Sequence, residues 1–252
     1  MIDKRRLKEN LELFSFPRLS GTESERKSFL LAKNKIEDLN LSPTIQEFSY
    51  SSFYSRIYPK ISLGLLSWLL FVLFLGIQPI FTIVNIILVF LLITFLIIIT
   101  RKPEQIRIGK RYNSQNVFVK LSAQNENPIK NVFLFSHLDS KGQTFSIKVR
   151  VRLYDIWLDS FAISLLLILV INYFLDSHHL ILRIVELIVV DINCISTLTL
   201  MVNKTNNKSK GAIDNASGIT CVMELLYYFS ILKNRPKNYN LWFVFTGAEE
   251  SG

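Results

Sequence analysis

Residues 131–140 read NVFLFSHLDS. After Asn131, Val132 to Phe135 hold β-branched, aromatic and leucine side chains without a turn former, so 131–135 suits a pleated, buried strand. The apolar run is continuous rather than alternating, so the reading is a central strand buried on both faces. His137 then stands just past the carboxyl end of that strand, where open α/β sheets gather their ligands. The pattern recurs at 241–250, LWFVFTGAEE, where a buried strand over 241–245 delivers Gly247-Ala248-Glu249-Glu250. Between the two, GAIDNASG (211–218) sets Asp214 just before an apolar helix over 218–232.

The flanking sequence supplies the rest of an α/β domain. Residues 43–53 alternate well enough for a strand, 115–121 (QNVFVKL) form another, and Asn125 to Pro128 reads as a turn. An amphipathic helix is predicted over 3–14, with Leu7, Leu11 and Phe14 at helical spacing and Pro17 ending it. A second helix, about 22–39, has Ser20 or Thr22 as its cap, early glutamates that suit its dipole, and a buried stripe of Leu30, Leu31, Ile36 and Leu39.

Long apolar segments interrupt this domain. From Ile61 to Thr100 forty residues pass without a charge, whereas one bilayer crossing takes about 20. Gln78-Pro79 falls where a turn belongs, so the segment reads as a hairpin, roughly 61–77 and 80–100. Its apolar side chains surround both helices, which disfavours a helix pair in a soluble core. A second pair, 160–175 and 180–202, carries Arg183, Glu186 and Asp191. Each mid-bilayer charge costs about 2.5–3.5 kcal/mol on insertion scales. Arg183 can snorkel, while Glu186 and Asp191 need a partner, a place facing the bundle, or a proton. The alternative for this pair is to lie in the membrane interface.

The net charge of +9 is distributed in a way that argues against a nucleic-acid partner. Basic residues flank both hairpins at the ends away from their turns: Arg56 and Lys60, Arg101 to Arg111, Lys148 to Arg152, and Lys204 to Lys210. That bias is expected of the cytoplasmic side and of contact with anionic lipid headgroups. No plausible strand face interleaves aromatic with basic residues. Cys194 and Cys221 have neither metal-ligand spacing nor a reason to pair. The N-terminal MIDKRRLKENLELF has no apolar core of a signal peptide.

The three acidic motifs suit a metal site. A neutral imidazole binds zinc through one nitrogen and usually donates its other N–H to a carboxylate; Asp139, two residues beyond His137, is close enough to do this. Asp214 precedes small residues that permit a tight turn, and a carboxylate's two oxygens can bridge two cations. Glu249 and Glu250 set two like charges side by side, expensive in a cleft unless cations offset them. A division of labour follows in which Glu250 binds metal and Glu249 takes a proton from water. Taken singly, each motif has an ordinary reading: a structural histidine, a helix N-cap at Asp214, a solvated acidic turn. Their shared place at the ends of buried elements favours the site.

On these residues the chain resembles the co-catalytic zinc aminopeptidases and carboxypeptidases of metallopeptidase family 28. The resemblance rests on SHLDS (136–140), GAIDNASG and FTGAEESG (245–252), with support from Phe16 to Glu23 and Asn116-Val117, and covers about 1–55 and 112–252 apart from the insert. It implies two zinc ions, with His137 on one, Asp214 bridging and Glu250 on the other. Glu249 is implied as the general base and Asp139 as the residue that orients His137. It also implies a three-layer zinc-exopeptidase-like α/β sandwich with a mixed sheet, here interrupted by two transmembrane hairpins.

Two departures stand out. His137 and Asp214 lie 77 positions apart, with the second apolar pair between them. The family's further aspartate and histidine, downstream of the glutamate pair, do not occur before Gly252, and the remaining histidines, His178 and His179, fall at the second hairpin's turn. The expectation is a C-terminally truncated chain that holds two zincs poorly.

The expected organisation is a peptidase-like domain in three pieces, 1–57, 103–150 and 204–252, with hairpins over 58–102 and 151–203. The expected protein is a multi-pass membrane zinc exopeptidase, aminopeptidase in type, with its peptidase-like domain cytoplasmic and peptides as substrates. The alternative is a catalytically inactive peptidase-like scaffold or receptor.

Overall fold

The computed structural model describes residues 2–102, 105–125, 130–173 and 180–251. His178 and His179, and part of the expected Asn125–Pro128 turn, lie outside the described residues. The chain divides into two compact units: residues 1–52, 107–143 and 205–252 form one, and residues 53–106 and 144–204 the other.

The first unit is a mixed sheet with helices on one face. Its strands are β1 (Thr44–Ser51), β2 (Arg111–Leu121), β3 (Lys130–His137) and β6 (Tyr239–Thr246), in the order β1-β2-β6-β3. β1, β2 and β6 are antiparallel neighbours, and β3 pairs with β6 in parallel. The parallel register sets His137 opposite Thr246, so both strands deliver their motifs to the same end of the sheet. A short pair, β4 (Gly142–Gln143) with β5 (Thr205–Asn206), lies beside it.

Alternation along the strands gives the sheet two faces. Val117, Val119 and Leu121 with Leu241, Phe243 and Phe245 are buried under α1 (Lys4–Phe14), α2 (Glu23–Glu37) and α7 (Ser217–Ser230). Burying each such side chain contributes about 1.5–3 kcal/mol. The helices meet this face with Phe14, with Phe29, Ala32 and Ile36, and with Ile219, Met223 and Leu226, all at spacings of three or four. The Arg6 fork grips the Glu224 carboxylate through two 2.6 Å bonds and ties α1 to α7.

Two expectations are corrected here. Of the expected α2 stripe, Ile36 is buried and Leu31 and Leu39 pack half-buried against the same core, but Leu30 is exposed, and Phe29 and Ala32 complete the buried face in its place. The strand at 131–135 is an edge strand, pairing only with β6 among the described residues. Its outward side chains Phe133 and Phe135 are 51% and 63% exposed. They continue an aromatic row across the sheet, with Phe133 stacked on Trp242 at 5.8 Å and Trp242 tilted against Phe118 at 6.1 Å. The described residues build two layers; no described helix of this unit covers the aromatic face.

The second unit contains α3 (Tyr58–Leu75), α4 (Pro79–Thr100), α5 (Ile147–Tyr173) and α6 (Leu180–Val202). All four are long and apolar enough to cross a membrane. At about 1.5 Å per residue the 22-residue α4 reaches the roughly 30 Å of a hydrocarbon core. Helix α5 begins well before Ser160, taking in Lys148, Arg150, Arg152, Asp155 and Asp159. Polar side chains hold three helices together: Ser67 bonds Asn193 and Thr197, and Trp157 Nε1 donates to Thr197 at 2.9 Å. Glu186 is buried and ion-paired with Arg183 at 2.9 Å, whereas Asp191 is exposed.

Candidate functional site

His137 ends β3 and the Gly247–Glu250 turn follows β6, so the parallel pairing of these strands brings the two motifs together. Asp214 arrives from a third direction, in the irregular turn Ala212–Ala216 ahead of α7. Its backbone is non-helical and its side chain does not cap α7, so the N-cap alternative is set aside. Asn215 anchors this turn, its amide donating to Ser136 Oγ at 3.0 Å. A Cβ on Gly218 would run into the Asn215 side chain, which explains the small residue there.

The imidazole is gripped from both sides. His137 Nδ1 lies 3.2 Å from Asp139 Oδ1, and Nε2 lies 3.0 Å from Asp214 Oδ1 and 3.9 Å from Glu249 Oε2. Asp139 is wholly buried and also accepts from Ser20 Oγ (2.5 Å), the Glu249 amide (3.2 Å) and the Glu250 amide (3.0 Å). One carboxylate thus orients the ring and fixes the glutamate turn. In contrast, the side chains of Asp214 and Glu249 are 72% and 60% exposed. Glu250 is more enclosed; its carbonyl accepts from Lys141 Nζ at 2.6 Å, and its carboxylate stands 3.9 Å from the same ammonium.

The electrostatics follow from this packing. Burial is the largest influence on His137 and lowers its pKa, but the bond to Asp139 and the charges of Asp139, Glu249 and Asp214 together raise it to about 9. Burial pushes Asp139 up, yet the bonds from His137, Ser20 and the Glu250 amide leave it below the ordinary carboxylate range. Glu250 is pushed up by burial and by three neighbouring carboxylates, with Lys141 opposing.

The donors suit zinc in kind: an imidazole nitrogen with its other nitrogen on a carboxylate, and carboxylate oxygens around it. With zinc bonds of about 2.0–2.2 Å at tetrahedral angles, two ligands of one ion stand about 3.3–3.5 Å apart, so His137 Nε2 and Asp214 Oδ1, at 3.0 Å, would need to part only slightly to share one. Among the described residues no three histidine, cysteine, aspartate or glutamate side chains are arranged as a complete metal cage. The pair fits, and a third ligand must turn in.

The motifs name His137, Asp139, Asp214, Glu249 and Glu250, but not the residues that hold them. Ser20 bonds Asp139, and Lys141 bonds Glu250. The buried Arg18 guanidinium donates to the carbonyls of Phe14, Phe16, Leu138, Lys210 and Gly211, joining the segments that carry His137 and Asp214. Burial lowers its pKa to about 10, which leaves it charged at neutral pH. The one sequence signal for this group is the 16–23 stretch FPRLSGTE.

Residues 175–252 match peptidase family M28, a segment that contains Asp214, Glu249 and Glu250 but not His137 or Asp139. No curated protein matches the sequence significantly. Among solved structures, the chain is similar to the glutaminyl cyclase of Fimbriiglobus ruber, at 13% identity and a TM-score of 0.45. The alignment takes in 99% of this chain and 47% of the cyclase, so the chain spans under half the length of that protein.

Proposed function

We propose that the protein is a membrane-anchored, zinc-dependent exopeptidase of the aminopeptidase kind. The observation that carries this reading is the meeting of His137, Asp214 and Glu249 side chains at the carboxyl ends of β3 and β6, with Asp139 buried behind the ring. The match of the Asp214 and Glu249–Glu250 segment to a peptidase family supports it. His137 would hold one of two zinc ions, Asp214 would bridge them, and Glu250 would serve the other. Bound zinc would lower the pKa of a water to about 7 and polarise the scissile carbonyl. Asp139 holds the ring so that Nε2 faces the open side of the site. Glu249, exposed and 3.9 Å from His137 Nε2, would accept a proton and pass it to the departing amine. The four long apolar helices would cross the bilayer, and the basic residues at their ends put those ends on the cytoplasmic side.

The test is hydrolysis of aminoacyl anilides and short peptides by the purified protein in lipid nanodiscs. Chelation should abolish amine release, zinc should restore it, and Glu249→Gln should remove it while zinc is retained. A zinc-loaded protein with no activity on any free-amine peptide would defeat the reading. The second reading, an inactive peptidase-like scaffold, is favoured by the lack of a complete three-ligand cage among the described residues.

A further inference from the structure

Glu25 is the fourth residue of a Thr-Glu-Ser-Glu helix start, a pattern that normally closes a capping box by returning the glutamate to the cap's own N–H. Here Thr22 Oγ1 accepts from the Glu25 amide at 3.4 Å, but the Glu25 side chain goes elsewhere. It is only 4% exposed. One oxygen accepts from the Gly21 amide at 2.6 Å; the other accepts from Ser114 Oγ at 2.6 Å and from the Ala248 amide at 2.9 Å. Three segments distant in sequence meet on one carboxylate.

The third of those partners belongs to the candidate site. Ala248, Glu249 and Glu250 point three successive amides at two buried carboxylates: Ala248 at Glu25, and Glu249 and Glu250 at Asp139. Residues 20 and 21 repeat the pattern, Ser20 Oγ donating to Asp139 and the Gly21 amide to Glu25. Ala248 itself is left-handed, with φ of 57°, a conformation uncommon outside glycine. Its bond to Glu25 helps hold it there. The neighbouring Gly247 is needed for closeness, since a Cβ there would collide with Ser114 Oγ and the Glu25 carboxylate.

We infer that Glu25 is a positioning residue: acting through the Ala248 amide, it sets where Glu249 and Glu250 stand relative to His137. The inference rests on the metal-site reading above. Glu25 touches no metal donor, so its effect passes through the turn alone. Groups that orient metal ligands at one remove change affinity by about 10–100-fold when lost.

The experiment compares wild type, Glu25→Met and Glu23→Met in nanodiscs; methionine is of similar length and removes the acceptor oxygens. Glu23 is exposed in the same first turn of α2, so its variant removes the same charge without touching the turn. Zinc affinity is measured by competition with a chromophoric chelator, and amide hydrogen exchange is followed over 246–251. Glu25→Met should bind zinc about 10–100-fold more weakly and exchange faster over 247–250, while strand β6 keeps its protection. Glu23→Met should match wild type. Equal zinc affinity in Glu25→Met and wild type overturns the inference, as does a loss of protection spread evenly over the unit. Should Glu25→Met not fold, wild-type exchange decides: an Ala248 amide as protected as Phe245 supports the inference, and a freely exchanging one overturns it. Should wild type bind no zinc, the metal-site reading fails, and the exchange data still judge the bond between Glu25 and Ala248.

Discussion

Two aspartates flank one imidazole, and they are held in opposite ways. Asp139 is wholly buried and receives bonds from His137, Ser20 and two turn amides. Asp214 is 72% exposed, and His137 is the one partner its carboxylate has among the described hydrogen bonds. The inner half of the site is part of the folded core, whereas the outer half is open to whatever binds. A buried carboxylate with satisfied bonds stabilises the fold and fixes geometry; an exposed one contributes little to stability and is free to serve as a ligand.

That contrast can be broken most sharply by alanine at each position. Asp139→Ala should cost about 3–5 kcal/mol, the usual loss when one member of a buried charged network is removed, and activity should vanish with it. Asp214→Ala should stay within about 0.5 kcal/mol of wild type, as exposed sites do, yet lose peptide hydrolysis completely. Chemical denaturation beside an activity assay reads both. Equal destabilisation by the two variants would erase the distinction.

A pH titration of zinc binding tests the same pair next. Zinc takes the neutral imidazole, and His137 without metal stays protonated up to about 9. Binding below that pH must release a proton, so affinity should climb about tenfold per pH unit and level off above about 9. In the metal-free protein the sign is reversed. The raised value means that charged His137 stabilises the fold fully below its ordinary 6.5, and this contribution is lost as pH rises through about 9. A flat zinc affinity between pH 6 and 9 would show that His137 is not a ligand.

The smallest effect is expected at Lys141, which touches the boundary between the halves. Lys141→Met removes the cation that opposes the upward shift of Glu250. The acid limb of the pH–rate profile should then move to higher pH, with a loss of activity of about tenfold or less at neutral pH. A limb that moves to lower pH would contradict the placement of Lys141 beside Glu250.

The legible part of this protein was its outer half. His137, Glu249 and Glu250 follow apolar strands and Asp214 precedes an apolar helix, so the strand and helix patterns mark them as a set although each alone has an ordinary reading. Asp139 was legible as well, because its partner is only two residues away. Glu25 was not: its bonds to Gly21, Ser114 and Ala248 exist only once the strands and α2 have packed, and in sequence it looks like half of a capping box. The run 131–135 reads as central but lies at the edge, because an apolar strand has the same composition in either place. Helix α5 begins well before its apolar stretch, and the charges from Lys148 to Asp159 hide that start in the sequence.

The central claim is that His137 and Asp214 clasp the same ion. X-ray absorption at the zinc edge, on wild type and on Asp214→Ala, tests it directly. Wild type should hold zinc with an imidazole nitrogen at about 2.0–2.1 Å and carboxylate oxygens beside it, and the variant should lose most of its zinc. Zinc retained by Asp214→Ala with an unchanged spectrum, or a wild-type spectrum without imidazole, would contradict it.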